Sequence, residues 1–395
     1  MWTPDAYLLE QRLSADDRAL VARVRDFVRD DVLPIINDAW EAGRFPETLI
    51  PGLARTGVVG GMVEGHGCPG LTALQYGLVS MELARGDGSV NTFLGVHSGL
   101  AMGTIDLLGD EPQRALWLPP MARLERLGAF ALTEPEHGSD AVALETSAER
   151  RGDTWVLTGR KRWIGNAHRA DVIVVWARDV ADGAVKAYVV ERGADGLLPR
   201  GFEPRIIEGK VGKRAIEQSD IRLDAVEVPA ENHLARSSSF RDVGRVLART
   251  RGGAAWEALG HAMAAYEIAV DYARERRQFG RPIAEYQLVQ HRLAKMLAEI
   301  TAMQLYCLRM AELADAGQLA STMSSLAKMF TAERARWVCS EARDLLGGNG
   351  LLLENHVVRH LTDMEVVSTY EGTDAIQSLI VGRSIVGVQA FTREA

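Results

Sequence analysis

The middle of the chain carries the stretch that decides the fold, GDTWVLTGRKRWIGNAHRADVIVVWARDVADGAVKAYVV at residues 152–190. It contains three β-branched and aromatic runs typical of strands: Thr154–Thr158, Val172–Trp176 and Val185–Val190. A fourth run alternates over residues 221–228 and stops at Pro229. No helix separates these runs, which favours an antiparallel sheet or small barrel over a Rossmann unit. We therefore predict a compact β-domain over about residues 133–235.

On both sides of this stretch the apolar residues recur at helical spacing. Before it, Ser14–Asp17 predicts a capping box, Pro34 breaks or kinks the following helix, and further helices are predicted at about 70–86 and 96–108. After Val243 the helical period returns, and its apolar stripe predicts an antiparallel bundle: Leu293, Met296, Leu297, Ile300, Met303 and Cys307. The predicted fold class is α+β, mainly α. Its domains are a helical domain at 1–131, a β-barrel-like domain at 132–240 and a helical bundle at 241–395.

Composition excludes several classes of protein. The chain has 395 residues, 47% of them hydrophobic and 25% charged, which are globular values. Its net charge of −8 argues against nucleic acid as a partner. Three cysteines (Cys68, Cys307 and Cys339) are too few and scattered for a disulfide framework or a zinc cage, so no metal is expected. There is no signal-peptide pattern and no apolar run of membrane-spanning length, so a cytoplasmic protein without membrane insertion is expected.

Four segments could carry chemistry, and each has a plainer interpretation. Thr133–Asp140 is a ligand-binding junction or a surface turn. Gly159–Asn166 places Trp163 in a basic loop, where it could stack on a flat cofactor or cap the sheet. Arg274–Pro282 could hold a pyrophosphate or only complement a helix C-terminus. The glycine loop at residues 345–350 matches no phosphate-loop spacing and could be a simple helix cap.

Glu371 is the candidate base. It stands between Tyr370 and Gly372, just before an apolar helix for which Thr373 or Asp374 is a natural N-cap. A helix start offers free N–H groups to an anionic ligand. Partial desolvation beside Tyr370 would raise the pKa of the carboxylate towards neutrality, as a general base requires.

Together these segments resemble the acyl-CoA dehydrogenase family over essentially the whole chain. The matching motifs occur in the family's order and spacing: Leu132–Asp140, Gly159–Asn166, Arg276–Gly280, Gln287, Leu346–Gly350 and Tyr370–Thr373. The C-terminal segment, with Gly382–Arg383 and Gly387–Phe391, is most similar to the glutaryl-CoA dehydrogenase branch. Val96–Ser98 and Lys161–Asn166 are more similar to the plant short-chain acyl-CoA oxidases. The resemblance implies a helical domain, a β-domain and a four-helix bundle, assembled as a homotetramer with one FAD per subunit.

The resemblance also implies residue roles. Glu371 would take the α-proton of an acyl-CoA while its own N–H and a flavin hydroxyl polarise the thioester carbonyl. The implied FAD-binding residues, some of them from the neighbouring subunit, are Phe130, Leu132, Thr133, Gly138, Ser139, Trp163, Ile164, Gly165, Arg276, Gln278, Phe279, Gln287, Asp344, Leu346, Gly347, Gly348, Thr373, Asp374 and Ala375. The implied substrate-binding residues are Asn91, Ser139, Arg251 and Gly372.

Two departures from the family pattern affect the choice of substrate and acceptor. Asn91 stands where glutaryl-CoA dehydrogenases have an arginine for the distal carboxylate, and Gly165 stands where many dehydrogenases have a threonine near flavin N5. With no Lys or Arg in 90–96, we expect a neutral, largely apolar pocket wall whose depth is limited by Phe93 and Leu94. The leading hypothesis is dehydrogenation of a short-chain acyl-CoA to the trans-2-enoyl-CoA, with electrons passed to an electron-transfer flavoprotein. The alternatives are a glutaryl-CoA dehydrogenase, an oxidase using O₂ and, remotely, a non-catalytic acyl-CoA- or flavin-binding scaffold.

Overall fold

The computed structural model describes residues 4–388, which form a helical block, a sheet and a second helical block. The first block contains α1 (Ala15–Phe27), α2 (Ile36–Ala42), α3 (Leu49–Arg55), β1 (Glu64–Gly65), β2 (Cys68–Pro69), α4 (Ala73–Gly86), α5 (Gly88–Leu94), α6 (Gly103–Leu108) and α7 (Glu111–Ala122). The sheet strands are β3 (Gly128–Ala131), β4 (Ser147–Arg151), β5 (Thr154–Gly165), β6 (Val172–Asp179), β7 (Val185–Glu191), β8 (Phe202–Ile206) and β9 (Gln218–Pro229). The last block contains α8 (Phe240–Glu275), β10 (Arg277–Gln278), β11 (Arg281–Pro282), α9 (Gln287–Asp315), α10 (Ser321–Leu345), α11 (Val357–Val367) and α12 (Asp374–Val386).

The start of α1 confirms the predicted capping box. The Ser14 hydroxyl accepts a hydrogen bond from the Asp17 N–H at 3.1 Å, and the Asp17 carboxylate accepts one from the Ser14 N–H at 3.0 Å. The helix continues into a π-helical turn at Val28–Val32 and stops before Pro34, because proline has no N–H to donate to the preceding turn.

The helix predicted at about 96–108 begins earlier than expected. Asp87 caps it by accepting from the Ser89 N–H at 2.7 Å, and α5, a π-helical segment at Gly95–Met102 and α6 form one continuous run from 88 to 108. His97 ties this run to the sheet, because its Nδ1 accepts from the Gly128 N–H at 2.9 Å. We call this run the 88–108 helix.

Antiparallel pairing prevails in the sheet, but the sheet is mixed. The strand order is β3-β6-β4-β5-β9-β8, with β7 on β6, and β3 and β4 both pair with β6 in parallel. The parallel pairs join strands that are not consecutive in the chain, and sequence patterns in single strands do not carry that information. Since β3 belongs to the sheet, the sheet begins inside the range 1–131 that the sequence assigned to the helical domain.

Helix α8 is the 36-residue centre of the last block. The predicted apolar stripe of α9 lies in the core of the last block, where Met296, Ile300, Met303 and Cys307 are fully buried. Two residues of α8, Thr250 and Arg251, lie near the loop between α11 and α12, which positions the candidate site. Within residues 4–388, the structure contains no helix with the length and apolarity needed to span a bilayer.

Candidate active site

The loop between α11 and α12 presents Glu371 in a strained conformation. Glu371 has a φ of 55°, in the left-handed region that few non-glycine residues adopt. Gly372 follows with a φ of 86°, and a Cβ there would lie 2.3 Å from the side-chain nitrogen of Gln377. Gln377 in turn donates to the Glu371 carbonyl at 2.8 Å. The loop is therefore fixed by α12, and Gly372 allows the close approach.

Lys328 supports the same loop from α10. Its buried ammonium group donates to the carbonyls of Ser368 and Gly372 at 3.1 and 2.9 Å and to the Asp374 carboxylate at 3.0 Å. Thr373 accepts from the Ile376 N–H at 3.2 Å and caps α12, as one of the two predicted caps. The three donors of one lysine thus fix both ends of the loop that carries the candidate base.

Glu371 is a partly exposed residue, and its carboxylate has one hydrogen bond among residues 4–388. The Thr250 hydroxyl donates to its Oε2 at 3.1 Å. Burial raises the pKa of Glu371, and the opposing influences of Thr250, Arg251 and Lys328 do not cancel that rise. A carboxylate in this state holds a proton more readily than an ordinary glutamate, which suits a general base.

The backbone N–H of Glu371 is available for a ligand. Among residues 4–388 it donates no hydrogen bond, although the neighbouring Tyr370 N–H donates to the Val366 carbonyl at 3.1 Å. A backbone N–H without a protein acceptor is the kind of donor that can stabilise a developing oxyanion.

Tyr76 of α4 lies in the same space, and the sequence did not single it out. Burial and the negative charge of Glu371 raise the pKa of Tyr76 to about 12. A Cβ added to Gly99 would lie 2.6 Å from the Tyr76 hydroxyl and 3.3 Å from the Thr250 methyl group. Gly99 therefore lets the 88–108 helix approach the base.

Arg251 is a half-buried cation beside the base. Its Nη1 lies 3.2 Å from the Ser321 hydroxyl, and within the described residues it makes no ion pair. Burial lowers the pKa of Arg251, and Glu371 partly offsets that effect through its charge. An unpaired guanidinium at this position can bind an anionic or carbonyl group of a ligand.

The structure corrects the sequence prediction for the pocket wall formed by the 88–108 helix. Phe93 and Leu94 do not limit the pocket, because both lie in the core, where Phe93 stacks on Phe45 with ring centroids 4.2 Å apart. Thr92 is partly exposed instead, and its hydroxyl accepts from Lys213 at 2.7 Å. The expected apolar wall is therefore wrong, since the fold brings Lys213 to Thr92 from 121 residues away.

Asn91 lies one residue from this contact. Its side chain is buried in α5 and forms no hydrogen bond within the part of the chain that the structure describes. Arg85, the nearest upstream cation, is directed elsewhere, since it pairs with Glu267 at 2.6 Å. Neither residue brings a free positive charge to position 91.

The predicted basic loop around Trp163 is a strand. Residues 159–165 belong to β5 and pair with β9, with a bulge between Lys161 and Ile164. Trp163 occupies the bulge with a φ of 64°, is 50% exposed, and stacks under the Arg162 guanidinium at 5.2 Å. Because of the bulge, the Trp163 indole is exposed, whereas Lys161 and Ile164 of the same strand are buried.

The segment after β3 lies against this part of β5. The Lys161 ammonium group donates to the Leu132 carbonyl at 3.0 Å, and the Arg162 N–H donates to the Thr133 carbonyl at 2.8 Å. Phe130 is buried in β3 and pairs with Val174. Ile164 and Gly165 are buried in β5, while Gly138 and Ser139 are exposed in the bend. The structure thus brings together most of the predicted residues of the flavin-ring region.

A second group of predicted residues meets at one end of the helical bundle. Asn349 donates to the Tyr272 hydroxyl at 2.8 Å, and Arg292 pairs with Asp344 at 2.8 Å, which joins the ends of α8, α9 and α10. This end carries predicted residues that are exposed apart from the buried Leu346: Arg276, Gln278, Phe279, Gln287, Asp344, Gly347 and Gly348. Among the described residues no hydrogen bond joins residues 276–287 to the Trp163 region. Within one chain the two groups remain separate.

The residues present fit a flavin nucleotide. The exposed Trp163 indole suits a flat ring, and both polar atoms of the buried Asn166 side chain have no protein partner in the described chain. Thr373, Asp374 and Ala375 form the N-terminus of α12, which suits an anionic or oxygen-rich group. Arg276 makes no ion pair among residues 4–388 and could meet a pyrophosphate.

The fold and the site define a class: a three-part helical and β protein with a desolvated glutamate in the loop before a capped helix. Comparison with known proteins identifies the family. The family models described as acyl-CoA dehydrogenase N-terminal, middle and C-terminal domains match residues 14–125, 129–226 and 240–386. The chain belongs to the acyl-CoA dehydrogenase family, and it is an acyl-CoA dehydrogenase-type oxidoreductase.

The chain is similar to three proteins with different names. A 3-(aryl)acrylate reductase of Clostridium sporogenes is 33% identical, over 92% of this chain and 96% of the relative. The mitochondrial short-chain specific acyl-CoA dehydrogenase of Bos taurus is 33% identical, over 90% of this chain and 87% of the relative. A glutaryl-CoA dehydrogenase of Mycobacterium smegmatis in complex with FADH2 has a TM-score of 0.94 and 34% identity, covering 98% of both chains. The family and this complex make FAD the cofactor.

Sequence reasoning missed four side chains around the base: Tyr76, Thr250, Lys213 and Glu257. Thr250 directly precedes the predicted Arg251, so its position next to an implied substrate residue was a usable signal. The other three carried none, because a single tyrosine, lysine or glutamate in a helix or loop is usually solvated.

Proposed function

We propose that the chain oxidises a short-chain acyl-CoA to the trans-2-enoyl-CoA, with Glu371 as the base. The observation that carries the proposal is the Glu371 carboxylate itself, partly exposed, raised in pKa and oriented by Thr250 at 3.1 Å. Its free backbone N–H offers the thioester carbonyl a donor. Glu371 removes the α-proton while that N–H stabilises the charge developing on the carbonyl oxygen.

Bound FAD supplies the acceptor for the β-hydride. Trp163 and the buried strand residues Ile164 and Gly165 would hold the flat ring and exclude water from it. Thr373, Asp374 and Ala375 at the start of α12 would hold the flavin's polar groups, and Phe130, Leu132 and Thr133 would line the other side. Lys328 keeps Glu371 in position because it donates hydrogen bonds to both ends of the loop.

We further propose a homotetramer in which each flavin is completed by a neighbouring subunit. The support is the separation, within one chain, of the Trp163 region from the exposed bundle end that carries Arg276, Gln278 and Phe279. Phe279 is 95% exposed with a φ of 51°, which is costly for an aromatic side chain unless something covers it. The cytoplasm remains the expected compartment.

An electron-transfer flavoprotein is the proposed electron acceptor, with O₂ as the alternative. Gly165 is the reason to keep the alternative: a Cβ there would meet Val96 at 3.3 Å, so the position is small and has no hydroxyl to offer flavin N5. Stopped-flow reoxidation of the substrate-reduced enzyme by O₂ and by electron-transfer flavoprotein discriminates the two. Stoichiometric peroxide, faster than transfer to the flavoprotein, would establish an oxidase.

Glutaryl-CoA is the competing substrate, and we expect butyryl- to hexanoyl-CoA to be turned over at least about tenfold better, a difference of about 1.4 kcal/mol. Asn91 brings no charge, and the lysine that the fold brings near it is already paired with Glu257. Anaerobic bleaching of the flavin by C4 to C16 acyl-CoAs and glutaryl-CoA measures this. Preference for glutaryl-CoA, with crotonyl-CoA and CO₂ as products, would contradict the proposal. A yellow protein that no acyl-CoA bleaches would indicate a binding scaffold.

A further inference from the structure

A closed set of polar side chains lies beside the base, and the reaction described above does not use it. Lys213 is 1% exposed, and its ammonium group donates to the Thr92 hydroxyl at 2.7 Å, to the Tyr370 hydroxyl at 2.9 Å and to the Glu257 carboxylate. Tyr370 also donates to Glu257. We call Thr92, Lys213, Glu257 and Tyr370 the polar floor.

The polar floor adjoins Glu371 through Tyr370. Tyr370 precedes Glu371 in the chain and is partly exposed, as is Thr92. The 88–108 helix runs from Thr92 past Gly95, where an added Cβ would meet no atom within 4 Å, to Gly99 beside the base's partner Thr250. Seven helical residues span roughly 10 Å. A short acyl chain held at Glu371 and directed along this helix face would reach Thr92.

Among residues 4–388, one donor position of the polar floor is left for a ligand. All three donors of Lys213 are used, and Tyr370 both accepts and donates. The Thr92 hydroxyl accepts from Lys213, but within residues 4–388 it donates to nothing. Since an ammonium group withdraws charge from the hydroxyl it contacts, Thr92 is a strengthened donor that requires an acceptor.

The charge of the polar floor decides what kind of acceptor fits. Lys213 is neutralised by the buried Glu257, which is 2% exposed. The Asp363 carboxylate also faces Lys213, by accepting its backbone N–H at 2.5 Å. A carboxylate at the end of an acyl chain would meet two acidic groups for one cation and would lose its hydration without compensation. An uncharged oxygen carries no such cost.

We propose that Thr92 recognises an uncharged oxygen, a hydroxyl or a carbonyl, near the far end of a short acyl chain. The preferred substrate is then an oxygen-bearing acyl-CoA, neither a plain fatty acyl-CoA nor a dicarboxylic one. Thr92 supplies the donor, and Lys213 holds and polarises it. This inference rests on the proposed dehydrogenation of short-chain acyl-CoA.

Three five-carbon thioesters that differ only at the last carbon test the proposal. Pentanoyl-CoA, 5-hydroxypentanoyl-CoA and glutaryl-CoA end in a methyl, a hydroxymethyl and a carboxylate group. On the FAD-loaded enzyme we expect kcat/KM for 5-hydroxypentanoyl-CoA to exceed that for pentanoyl-CoA at least about tenfold, with glutaryl-CoA below both. Equal or better turnover of pentanoyl-CoA, or a preference for glutaryl-CoA, overturns the proposal.

Variants of Thr92 separate recognition from packing. Thr92→Val keeps the shape and removes the donor, so the hydroxypentanoyl-to-pentanoyl ratio should fall at least about fivefold, and Thr92→Ser should keep it. Thr104→Val is the matched control on the same helix, because its hydroxyl bonds only the Leu100 carbonyl at 2.6 Å; the ratio should not change. A ratio that survives in Thr92→Val contradicts the role of Thr92. If none of the thioesters bleaches the flavin, the proposed dehydrogenation itself is wrong.

Discussion

Two glutamates on either side of Tyr370 have opposite electrostatic states. Glu371 precedes α12, and among the described residues its carboxylate accepts a hydrogen bond only from the Thr250 hydroxyl; burial raises its pKa. Glu257, on α8, is more deeply buried, and burial alone would raise its pKa as well. The contact with Lys213 and the proximity of His261 outweigh burial and hold the pKa of Glu257 at about 2.

The difference shows that burial does not by itself make a base. Glu257 remains an anion at every physiological pH because a cation touches it, whereas the nearest cations to Glu371, Arg251 and Lys328, are engaged with hydroxyl and loop groups. The same helix, α8, thus supplies a structural carboxylate at 257 and the orienting hydroxyl of the base at 250. The predictions below test that division, from the largest expected effect to the smallest.

Replacement of the base should have the largest effect. Glu371→Gln keeps the shape and the Thr250 contact but cannot accept a proton, so the rate of flavin reduction by butyryl-CoA should fall by about 10³-fold or more. Stopped-flow absorbance of the flavin measures it. Glu365→Gln, an exposed glutamate on α11, is the control and should reduce at the parental rate. Near-normal reduction in Glu371→Gln would remove Glu371 from the mechanism.

Breaking the ion pair between Glu257 and Lys213 should mainly lower the stability of the folded protein. Lys213→Met leaves Glu257 charged and buried without its cation, so the free energy of unfolding should fall by about 3–5 kcal/mol. The double variant Lys213→Met/Glu257→Gln should regain most of that loss, because the charge is removed with its partner. Urea unfolding of the FAD-loaded proteins gives both values. Equal losses in the single and double variants would show that the pair is not a unit.

The sequence predicted Glu371, but it did not predict Glu257 and its partners. Glu371 was found because its immediate neighbours (Tyr370, Gly372, Thr373) carry the signal: a cap, a glycine and an apolar helix. The polar floor was not found, because Thr92 and Lys213 are 121 residues apart and only the packing of a loop against a helix brings them together. Local chemistry was visible in the sequence, and long-range pairing was not.

The same reasoning explains where the observed fold differs from the fold predicted from the sequence. Strand and helix periods gave the three-block architecture and the antiparallel majority of the sheet. The parallel pairing of β3 with β6 and the π-helical segment at Gly95–Met102 were not predicted, because both depend on hydrogen-bond partners outside the local sequence. Trp163 was expected in a loop because a bulge interrupts the alternation of β5 there.

A third charged group extends the comparison to the surface. Arg276 has no carboxylate partner in the described chain, unlike Lys213, and we expect it to bind the FAD pyrophosphate across a subunit interface. Arg276→Ala should weaken FAD retention by roughly 1.5–3 kcal/mol, and tetramer assembly with it. Arg274→Ala, two residues earlier and paired with Asp271 at 3.6 Å, is the control. Flavin occupancy and sedimentation measure the two effects; full occupancy with unchanged assembly in Arg276→Ala would contradict the assignment.

The smallest expected effect is a pH dependence of stability that has opposite signs at the two glutamates. The pKa of Glu371 is raised in the folded protein, so the folded state holds this proton more tightly, and the free energy of unfolding falls as pH rises through that pKa. Glu371→Gln removes this dependence. Its melting temperature relative to the parent should therefore increase as the pH rises above the ordinary glutamate pKa, and it should level off above the raised pKa of Glu371. The total increase should be smaller than the loss in the Lys213→Met variant.

At Glu257 the sign is reversed. Its folded pKa of about 2 lies below the ordinary glutamate value of about 4.3, so the stability it contributes is complete above the ordinary value and is lost as pH falls between the two. The double variant Lys213→Met/Glu257→Gln should lose less stability than the parent over that acid range. Differential scanning calorimetry of the FAD-loaded proteins, with Glu365→Gln as the control, gives both dependences. If the advantage of Glu371→Gln were constant or declined with rising pH, Glu371 would not be the desolvated member of the pair, and the contrast between the two glutamates would not hold.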